Sequence, residues 1–491
     1  MAGDASGVLY EEVPYPGNPF AQTHPDRLAT LAQLYGLRPA APSACRLLEV
    51  GCGDGGNLLP MAGALPGAQF VGIDISPRAI ARARDRAQAA GVENVTFEEG
   101  SLTDWQPAAG SFDYAVAHGV YSWVPEPVGD ALLALCAHAL GEHGVAYVSY
   151  NTNPGGRLRD VLRDLLTAHV DTTAPAAEQL TAARELLDVL RTAWAYDPEL
   201  NTLVTLATKM REDGDALLFH DTLSPVNRRL YFEEFVAHAG RHGLQYLAEA
   251  NFWETQVGWL PQQLRDGVMA TRDRLQREQL LDTLRMRTFR QTLLCRTGHA
   301  LPAEPMRERI ESLSVSAQAQ AVPDEDGRVT FTGANGANLT TEHVAVIRAL
   351  ERVIAAWPAM LPVADLLSPD AGLEERLILT EALMRCYGAS LANLHAEPAT
   401  FGAAAATHPR VTAMARLQAA EGPMVASLRH EATTLDDAAR LLVMLLDGTR
   451  DREALLTQLE GSMAGVARAD LAVWLERSLA ELARTALLTA S

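Results

Sequence analysis

Residues 46–57 read Arg46-Leu47-Leu48-Glu49-Val50-Gly51-Cys52-Gly53-Asp54-Gly55-Gly56-Asn57. A short apolar run stops at a cluster of glycines, and a segment compatible with a helix follows. This order predicts a strand, a tight turn and the N-terminus of a helix. Glycine allows a backbone to approach a ligand closely, and the exposed N–H groups of such a turn favour electron-rich ligand atoms. The segment therefore predicts a cofactor-binding loop.

Length and composition are those of an ordinary globular protein with several domains. The chain has 491 residues, of which 48% are hydrophobic and 21% are charged, and a length of this order predicts about three domains. No apolar run reaches the roughly 20 residues that a membrane-spanning helix needs. The N-terminus lacks the basic and apolar regions of a signal peptide. We therefore expect a cytoplasmic protein without membrane insertion.

Cysteine usage and charge exclude several classes of function. The five cysteines are scattered and form no Cys-x-x-Cys pair, which argues against a disulfide framework and a zinc site. The formal net charge of −20 disfavours sequence-independent binding to nucleic acid, which needs clustered Lys and Arg. That charge suits a basic protein or peptide substrate, and it serves solubility equally well.

Strands and helices alternate in the first part of the chain, which predicts an α/β domain with a parallel, doubly wound sheet. The predicted strands are 46–50, 69–74, 95–98, 112–117 and 144–150, and the predicted helices are 57–64, 77–90 and 127–140. The following residues read as helices only, and strands at 244–250 and 288–296 then resume the sheet.

Five segments follow from this pattern. We expect an N-terminal arm at 1–44, a cofactor-binding core at 45–155, a helical insertion at 156–222, the rest of the sheet at 223–297, and an α-rich region at 298–491. The arm either forms a lid over the cofactor or packs on the surface. If it forms a lid, Tyr15, Gln22 and His24 are the candidates to close over the site.

The glycine cluster fits two cofactors. Gly51, Gly53 and Gly56 match the dinucleotide fingerprint G-x-G-x-x-G, whereas Gly51, Gly53 and Gly55 match the Glu-x-Gly-x-Gly-x-Gly pattern of proteins that bind S-adenosylmethionine. Glu49 stands two residues before the first glycine, where a carboxylate can bind the ammonium of a methionine moiety. The same carboxylate would face the pyrophosphate of NAD at close range. S-adenosylmethionine is therefore favoured.

Residues after the next three strands are candidates for the nucleoside end of the cofactor. Asp74 ends the second strand, where an acid accepts hydrogen bonds from ribose hydroxyls, and Ile75 follows it. Leu102 and Asp104 come after the third strand, and Asp104 is the candidate contact to the adenine amino group. His118 follows the fourth strand and is a further candidate cofactor contact.

The loops after strands four and five open towards the methyl group that such a cofactor carries. Tyr121, Trp123 and Tyr150 can hold a protonated or methylated amine by cation–π attraction, and Asn151 can shape the same acceptor channel. These aromatic side chains could equally pack the loops onto the sheet. His118 is either a general base or a residue that orients its loop.

The pair His220-Asp221 invites a metal-binding or catalytic interpretation. Adjacent residues on a helix cannot both face one site, and no third ligand is apparent. We therefore expect the pair to cap a helix or fix a loop, and we expect no metal site.

Three stretches carry a resemblance to a known family: Leu48–Asn57, Val71–Pro77 and Ala117–Pro125. They resemble class I methyltransferases that carry a methyltransferase regulatory domain, a group that includes the rickettsial protein-lysine methyltransferases acting on outer membrane proteins. The resemblance covers roughly residues 1–297. The C-terminal third is similar more loosely, through Leu428–Glu431 and Leu445–Asp451, to the winged-helix-like module of that group.

The resemblance implies a Rossmann-like fold with a mostly parallel seven-stranded sheet, helical insertions and a winged-helix-like C-terminal region. It also implies S-adenosylmethionine as cofactor, lysine side chains as acceptors, and a regulatory or middle domain in the helical insertion. Two alternatives remain open: a small-molecule O- or N-methyltransferase of secondary metabolism, and a non-catalytic peptide-recruiting or regulatory protein. The C-terminal modules are also compatible with a homodimer interface.

Overall fold

The computed structural model describes residues 13, 17–463 and 465–490. Its largest element is a sheet of eight strands in the first 300 residues. These strands are β1 (Arg46–Val50), β2 (Gln69–Asp74), β3 (Val95–Glu99), β4 (Phe112–Ala117), β5 (Leu140–Thr152), β6 (Arg229–Leu230), β7 (Leu244–Glu249) and β8 (Phe289–Arg296).

The strand order confirms a mostly parallel, doubly wound sheet. Seven strands run in the order β3-β2-β1-β4-β5-β8-β7, and the two-residue β6 pairs with the end of β5. β8 is the reversed strand of that sheet, since it runs antiparallel to both of its neighbours, β5 and β7. The order reverses between β1 and β4, so the carboxyl ends of these two strands open a crevice where ligands bind in such sheets.

One predicted strand boundary is wrong. The fifth strand begins at Leu140 rather than at residue 144, because Leu140 pairs with Phe112 and the register then shifts at a bulge before Tyr114 pairs with Val145. Gly141 and Gly144 lie inside this irregular stretch.

The helices of the first half flank the sheet or belong to the insertion. They are α1 (Pro25–Leu34), α2 (Leu58–Ala64), α3 (Pro77–Ala90), α4 (Glu126–Ala139), α5 (Gly156–His169), α6 (Ala176–Trp194), α7 (Asn201–Glu212), α8 (Phe232–Arg241), α9 (Gln262–Ala270) and α10 (Arg274–Arg285). Their starts follow the capping rules. The hydroxyl of Ser76 accepts a hydrogen bond from the backbone N–H of Ala79, and Pro77 occupies the first helical position of α3.

Two hydrophobic clusters cover the two faces of the sheet. On one face, Leu132 and Leu133 of α4 pack with Phe235 of α8 against the strands. On the other face, α1 and α2 pack in a cluster that continues into residues 310–414. The first part of the C-terminal region therefore shares one core with the sheet domain.

The insertion between β5 and β6 is helical, as predicted. It contains α5, α6 and α7, followed by a short helix at Asp215–Leu217 and a π-helical turn at Leu218–Leu223. Leucines of these segments form a small core of their own, including Leu162, Leu166 and Leu187. The segment therefore packs as a unit beside the carboxyl edge of the sheet.

The C-terminal region mixes short strands and helices. Its strands are β9 (Ser314–Ser316), β10 (Ala319–Pro323), β11 (Val329–Gly333), β12 (Asn338–Thr341), β13 (Leu361–Pro362), β14 (Asn393–His395), β15 (Met424–Ala426) and β16 (Ala432–Thr434). Its helices are α11 (Val344–Ala355), α12 (Leu373–Gly388), α13 (Ala413–Glu421), α14 (Asp437–Leu445), α15 (Arg452–Ser462) and α16 (Arg468–Arg484). The last four helices and the β15–β16 hairpin surround a separate leucine-rich core. Within the described part of the chain, no helix has the length and apolar character needed to cross a bilayer.

Candidate active site

A cavity of about 550 Å³ lies at the carboxyl ends of β1, β2, β4 and β5. Strands, the N-terminal arm and the insertion all contribute to its wall. The predicted site residues that line it are Glu49, Gly51, Gly53, Asp74, Ile75, Leu102, His118, Trp123 and Asn151. The structure thus brings residues from five separate stretches of sequence to one cavity.

The glycine loop after β1 needs glycine for two reasons. Gly51 has a φ of +74°, and a Cβ there would lie 2.6 Å from Cγ2 of Val120. Gly55 also has a positive φ, but it does not line the cavity. A Cβ at this position would point towards Phe97 and would lie 2.8 Å from its ring. Gly55 therefore gives the loop its close packing against the sheet, rather than the cofactor contact that we predicted.

Glu49 is buried at the base of the cavity. Its Oε1 accepts a hydrogen bond of 2.7 Å from Nδ2 of Asn57, whereas Oε2 has no hydrogen-bond partner among the described residues. Burial raises the pKa of this carboxyl to about 8. An unpaired buried acceptor of this kind suits a cationic ligand group, such as the ammonium of S-adenosylmethionine.

Asp74 holds the glycine loop and faces the same cavity. Its Oδ2 accepts from the backbone N–H of Gly53, and its Oδ1 from that of Ser76, both at 2.9 Å. Burial raises the pKa of this carboxyl. Asp104, in contrast, is exposed and does not line the cavity; the loop places Leu102 there instead, so the predicted adenine contact of Asp104 is corrected.

The described part of the N-terminal arm lies over the loop. The ring of Phe20 stacks on that of His118 with centroids 3.8 Å apart, and Gly17 and Asn18 also line the cavity. His24 does not line it, because its ring accepts from the N–H of Asp26 at the start of α1. Gln22 does not line it either, and Tyr15 lies outside the described residues.

His118 is held from both sides. Its Nδ1 shares a hydrogen bond of 2.8 Å with the hydroxyl of Tyr147, and Phe20 covers its ring. Burial lowers the pKa of His118 to about 4, so the imidazole is neutral at physiological pH. A group with so low a pKa is a weak base, and these contacts favour the role of orienting its loop.

Two predicted acceptor aromatics face away from the cavity. Tyr121 is fully buried, and its hydroxyl shares a hydrogen bond of 2.6 Å with Nδ1 of His238. Tyr150 is also buried and stacks on Phe235 with centroids 4.0 Å apart. Both therefore support the acceptor loop from behind, and Trp123 is the aromatic side chain of that loop that lines the cavity.

Behind that loop, Asp130, His238 and His242 form a hydrogen-bonded group that joins α4 to α8. The Nε2 atoms of His238 and His242 lie 3.0 and 2.8 Å from Oδ1 of Asp130. Their ligand atoms are close enough to one another to hold a metal ion. None of the three side chains lines the cavity.

The wall of the cavity contains a pair of adjacent residues that we did not expect to face one site. His220 and Asp221 both line the cavity, because the π-helical turn at Leu218–Leu223 does not follow the spacing of an α-helix. Burial raises the pKa of Asp221 to about 6. His220 also has the expected role of a loop anchor, because its Nε2 donates a hydrogen bond of 2.6 Å to the carbonyl oxygen of Val13. The expectation that the two residues cannot face one site is corrected, since both line the cavity.

Several lining residues carry no signal in the sequence. These are Asn18, Arg82, Arg159, Arg229, Thr288 and Phe289. They come from the arm, α3, the insertion, β6 and the start of β8, and nothing in their local sequence marks them. Asn57 was part of the quoted motif, and its amide is the direct partner of Glu49.

Together, the strand order, the glycine loop and the two carboxylates define a class I methyltransferase site whose cofactor is S-adenosylmethionine. Three family models match the chain: a methyltransferase domain over residues 47–144, a predicted methyltransferase regulatory domain over 214–296, and the C-terminal winged helix domain of PKMT over 408–473. The regulatory-domain model overlaps the expected insertion at 156–222 only over residues 214–222, at the C-terminal end of the insertion.

The chain belongs to the family of class I S-adenosylmethionine-dependent methyltransferases with a methyltransferase regulatory domain. Two relatives from Rickettsia prowazekii, both uncharacterized proteins, are similar to this chain. RP789 is 37% identical over 288 residues, which are 58% of this chain and 52% of RP789, so the match spans about half of that relative. RP028 is 32% identical over 249 residues, which are 50% of this chain and 100% of RP028.

A solved structure has the same fold over nearly the whole chain. PKMT2 from Rickettsia typhi, determined in complex with AdoHcy, superposes with a TM-score of 0.84 and 23% sequence identity. The match covers 97% of this chain and 100% of PKMT2. The winged-helix-like C-terminal region predicted from the sequence is confirmed by this likeness and by the winged-helix family model.

Proposed function

We propose that this protein transfers the methyl group of S-adenosylmethionine to the side-chain nitrogen of lysine in a protein or peptide. The observation that carries the proposal is the continuity of one cavity. Its wall contains the unpaired Oε2 of Glu49 and, from other segments of the chain, Trp123 and the carboxyl of Asp221.

At the cofactor end, each residue has a separate task. Glu49 binds the ammonium of the methionine moiety, and the backbone of Gly51 and Gly53 approaches its carboxylate and sugar. Asp74 accepts from the ribose hydroxyls, while Ile75 and Leu102 give the apolar contacts for the adenine. The bound cofactor supplies an electrophilic methyl on a sulfonium.

At the acceptor end, Trp123 and Asp221 suit a cationic amine. An indole face attracts an ammonium by cation–π interaction, and Asp221 is ionised above pH 6. Methylation forms an N–C bond, breaks an S–C bond and releases one proton, and the carboxylate of Asp221 lines the end where that proton leaves. The net charge of −20 also steers a basic substrate towards the protein.

One observation favours a rival acceptor. Arg159 and Arg229 line the same cavity, and guanidinium groups bind carboxylates, so a small acidic molecule is the alternative substrate. Arg229 already contacts Asp160, which reduces the positive charge that it presents. The lysine acceptor is therefore preferred.

The test is transfer of tritiated methyl into a lysate that is then separated into protein and small-molecule fractions. We expect label in protein, on lysine after hydrolysis, with a raised KM for a lysine peptide in Asp221→Asn and an unchanged affinity for S-adenosylhomocysteine. Label confined to the small-molecule fraction would replace the proposal with the rival. Asp215→Asn, a change of a carboxylate of the same insertion that does not line the cavity, is the matched control.

A further inference from the structure

The β15–β16 hairpin of the winged-helix region reaches the cofactor loop. Its turn is closed by hydrogen bonds between the backbones of Ser427 and Glu431 and of His430 and Ser427, both at 2.9 Å. His430 lies in this turn, is 2% exposed and has a φ of +58°. Residues other than glycine rarely adopt this backbone conformation, and it persists where surrounding contacts hold it.

The ring of His430 ends on the amide of Asn57. Its Nε2 lies 2.8 Å from Oδ1 of Asn57, and the backbone N–H of Phe20 donates to the same oxygen at 2.9 Å. Since a backbone N–H can only donate, it identifies Oδ1 as the acceptor, so Nε2 of His430 donates as well. The hairpin and the arm therefore fix the orientation of one amide together.

The orientation of the Asn57 amide determines whether Glu49 receives a hydrogen bond from it. With Oδ1 turned towards His430 and Phe20, Nδ2 of Asn57 points to Glu49 and donates to Oε1 at 2.7 Å. The other carboxylate oxygen then remains for the cavity. A flipped or mobile amide would remove this donor, or would set an oxygen against the carboxylate.

The hairpin is not an isolated contact. Arg86 of α3 lies 2.9 Å from Glu421 of α13 and 3.3 Å from Asp54 of the glycine loop. Met414 of α13 belongs to the core that covers the sheet. The winged-helix region therefore packs on the cofactor domain over two helices, and this packing delivers the hairpin to Asn57.

We propose that His430 is a positioning residue of the cofactor site, through which the winged-helix region holds Asn57 and Glu49 in the orientation that receives the cofactor's amino-acid end. The inference concerns the cofactor end and is independent of the acceptor. It assigns the C-terminal region a part in cofactor binding, in addition to any role with a substrate.

The experiment measures binding of S-adenosylhomocysteine to the full chain by calorimetry. His430→Asn retains a residue type that tolerates a positive φ, but its amide is too short to reach Asn57. His430→Gln places an amide N–H where Nε2 lies. We expect about 3- to 10-fold weaker binding in His430→Asn, the effect of one lost hydrogen bond, and substantial recovery in His430→Gln. Thr434→Ala, an exposed change in the same hairpin, is the control.

A double-mutant cycle separates positioning from general destabilisation. In an Asn57→Ala background, His430→Asn should weaken binding no further, because the group on which it acts is gone. Wild-type affinity in His430→Asn, additive losses in the cycle, or failure of His430→Gln to recover affinity would each overturn the proposal. Thermal unfolding of every variant identifies any loss that comes from misfolding alone.

Discussion

Replacement of Glu49 by glutamine should change both cofactor binding and the protons that accompany it. The carboxyl is buried, and its pKa is raised to about 8 because burial disfavours the ionised form. At pH 7 such a group is protonated in roughly nine molecules of ten. Binding of an ammonium requires the carboxylate, so the wild-type protein must release about 0.9 proton as the cofactor enters.

That release has a free-energy cost. A pKa about one unit above the working pH costs about 1.4 kcal/mol of binding free energy, which is repaid by the contact between the ammonium and the carboxylate. Glu49→Gln preserves the shape but cannot ionise. We expect it to bind S-adenosylhomocysteine more weakly, by up to about tenfold, because the lost hydrogen bond to a charged group contributes about 1.5–3 kcal/mol and the variant is spared the cost of ionisation. It should release no proton.

The assay is titration calorimetry at pH 7 in buffers of different ionisation enthalpy, which gives the number of protons released. Glu93→Gln, a change of an exposed glutamate outside the cavity, is the control and should behave as wild type. No proton release in the wild type, or equal release in wild type and Glu49→Gln, would refute the reasoning.

The same substitution should stabilise the ligand-free protein. The pKa of Glu49 in the folded state lies above the ordinary glutamate value of 4.5, so the native state loses stability as pH rises from 4.5 towards 8. At pH 7 the cost is on the order of 3 kcal/mol, and Glu49→Gln removes it. We expect Glu49→Gln to raise the unfolding temperature at pH 7 and to leave it unchanged near pH 4. An unchanged unfolding temperature at pH 7 would contradict the raised pKa of Glu49.

Three further predictions concern other parts of the site. Asp74→Ala should weaken S-adenosylhomocysteine binding about 10- to 100-fold by calorimetry, since charge-assisted hydrogen bonds are lost, and unchanged affinity would contradict the ribose role. The pH profile of kcat should show no inflection near 6.5 from His118, whose pKa is about 4; an inflection there that is lost in His118→Gln would restore the base role. Gly56→Ala should lower the unfolding temperature and expose the arm to proteolysis, because its Cβ would lie 2.4 Å from Cα of Gly17, whereas Gly240→Ala, with open space around it, should do neither.

Local signals predicted which residues after β1 and β2 reach the cavity. Glu49, Gly51 and Asp74 are fixed by the geometry of a strand followed by a tight turn, and the sequence records that geometry through spacing alone. A side chain at the end of a parallel strand has few directions available, so its arrival at the cavity follows from the fold class.

The acceptor end depends on details that spacing does not record. Tyr121 points into the core and Trp123 into the cavity because the loop makes a 3₁₀ turn at Tyr121–Trp123. His220 and Asp221 face one site because their turn is π-helical. His430 reaches Asn57 across 373 positions, through packing that no local pattern indicates. The homodimer, the protein partner and the absence of nucleic acid stay predictions.

The ends of the helical insertion meet on the sheet. Asn151 and Thr152 pair with Arg229 and Leu230, so the chain leaves β5 and returns one strand spacing away, about 4.8 Å. A segment with adjacent ends and its own core is tolerated as an exchangeable cassette. The wall that carries Asp221 can therefore be exchanged between relatives without altering the cofactor loop, and such a graft tests the proposed part of the insertion in acceptor preference.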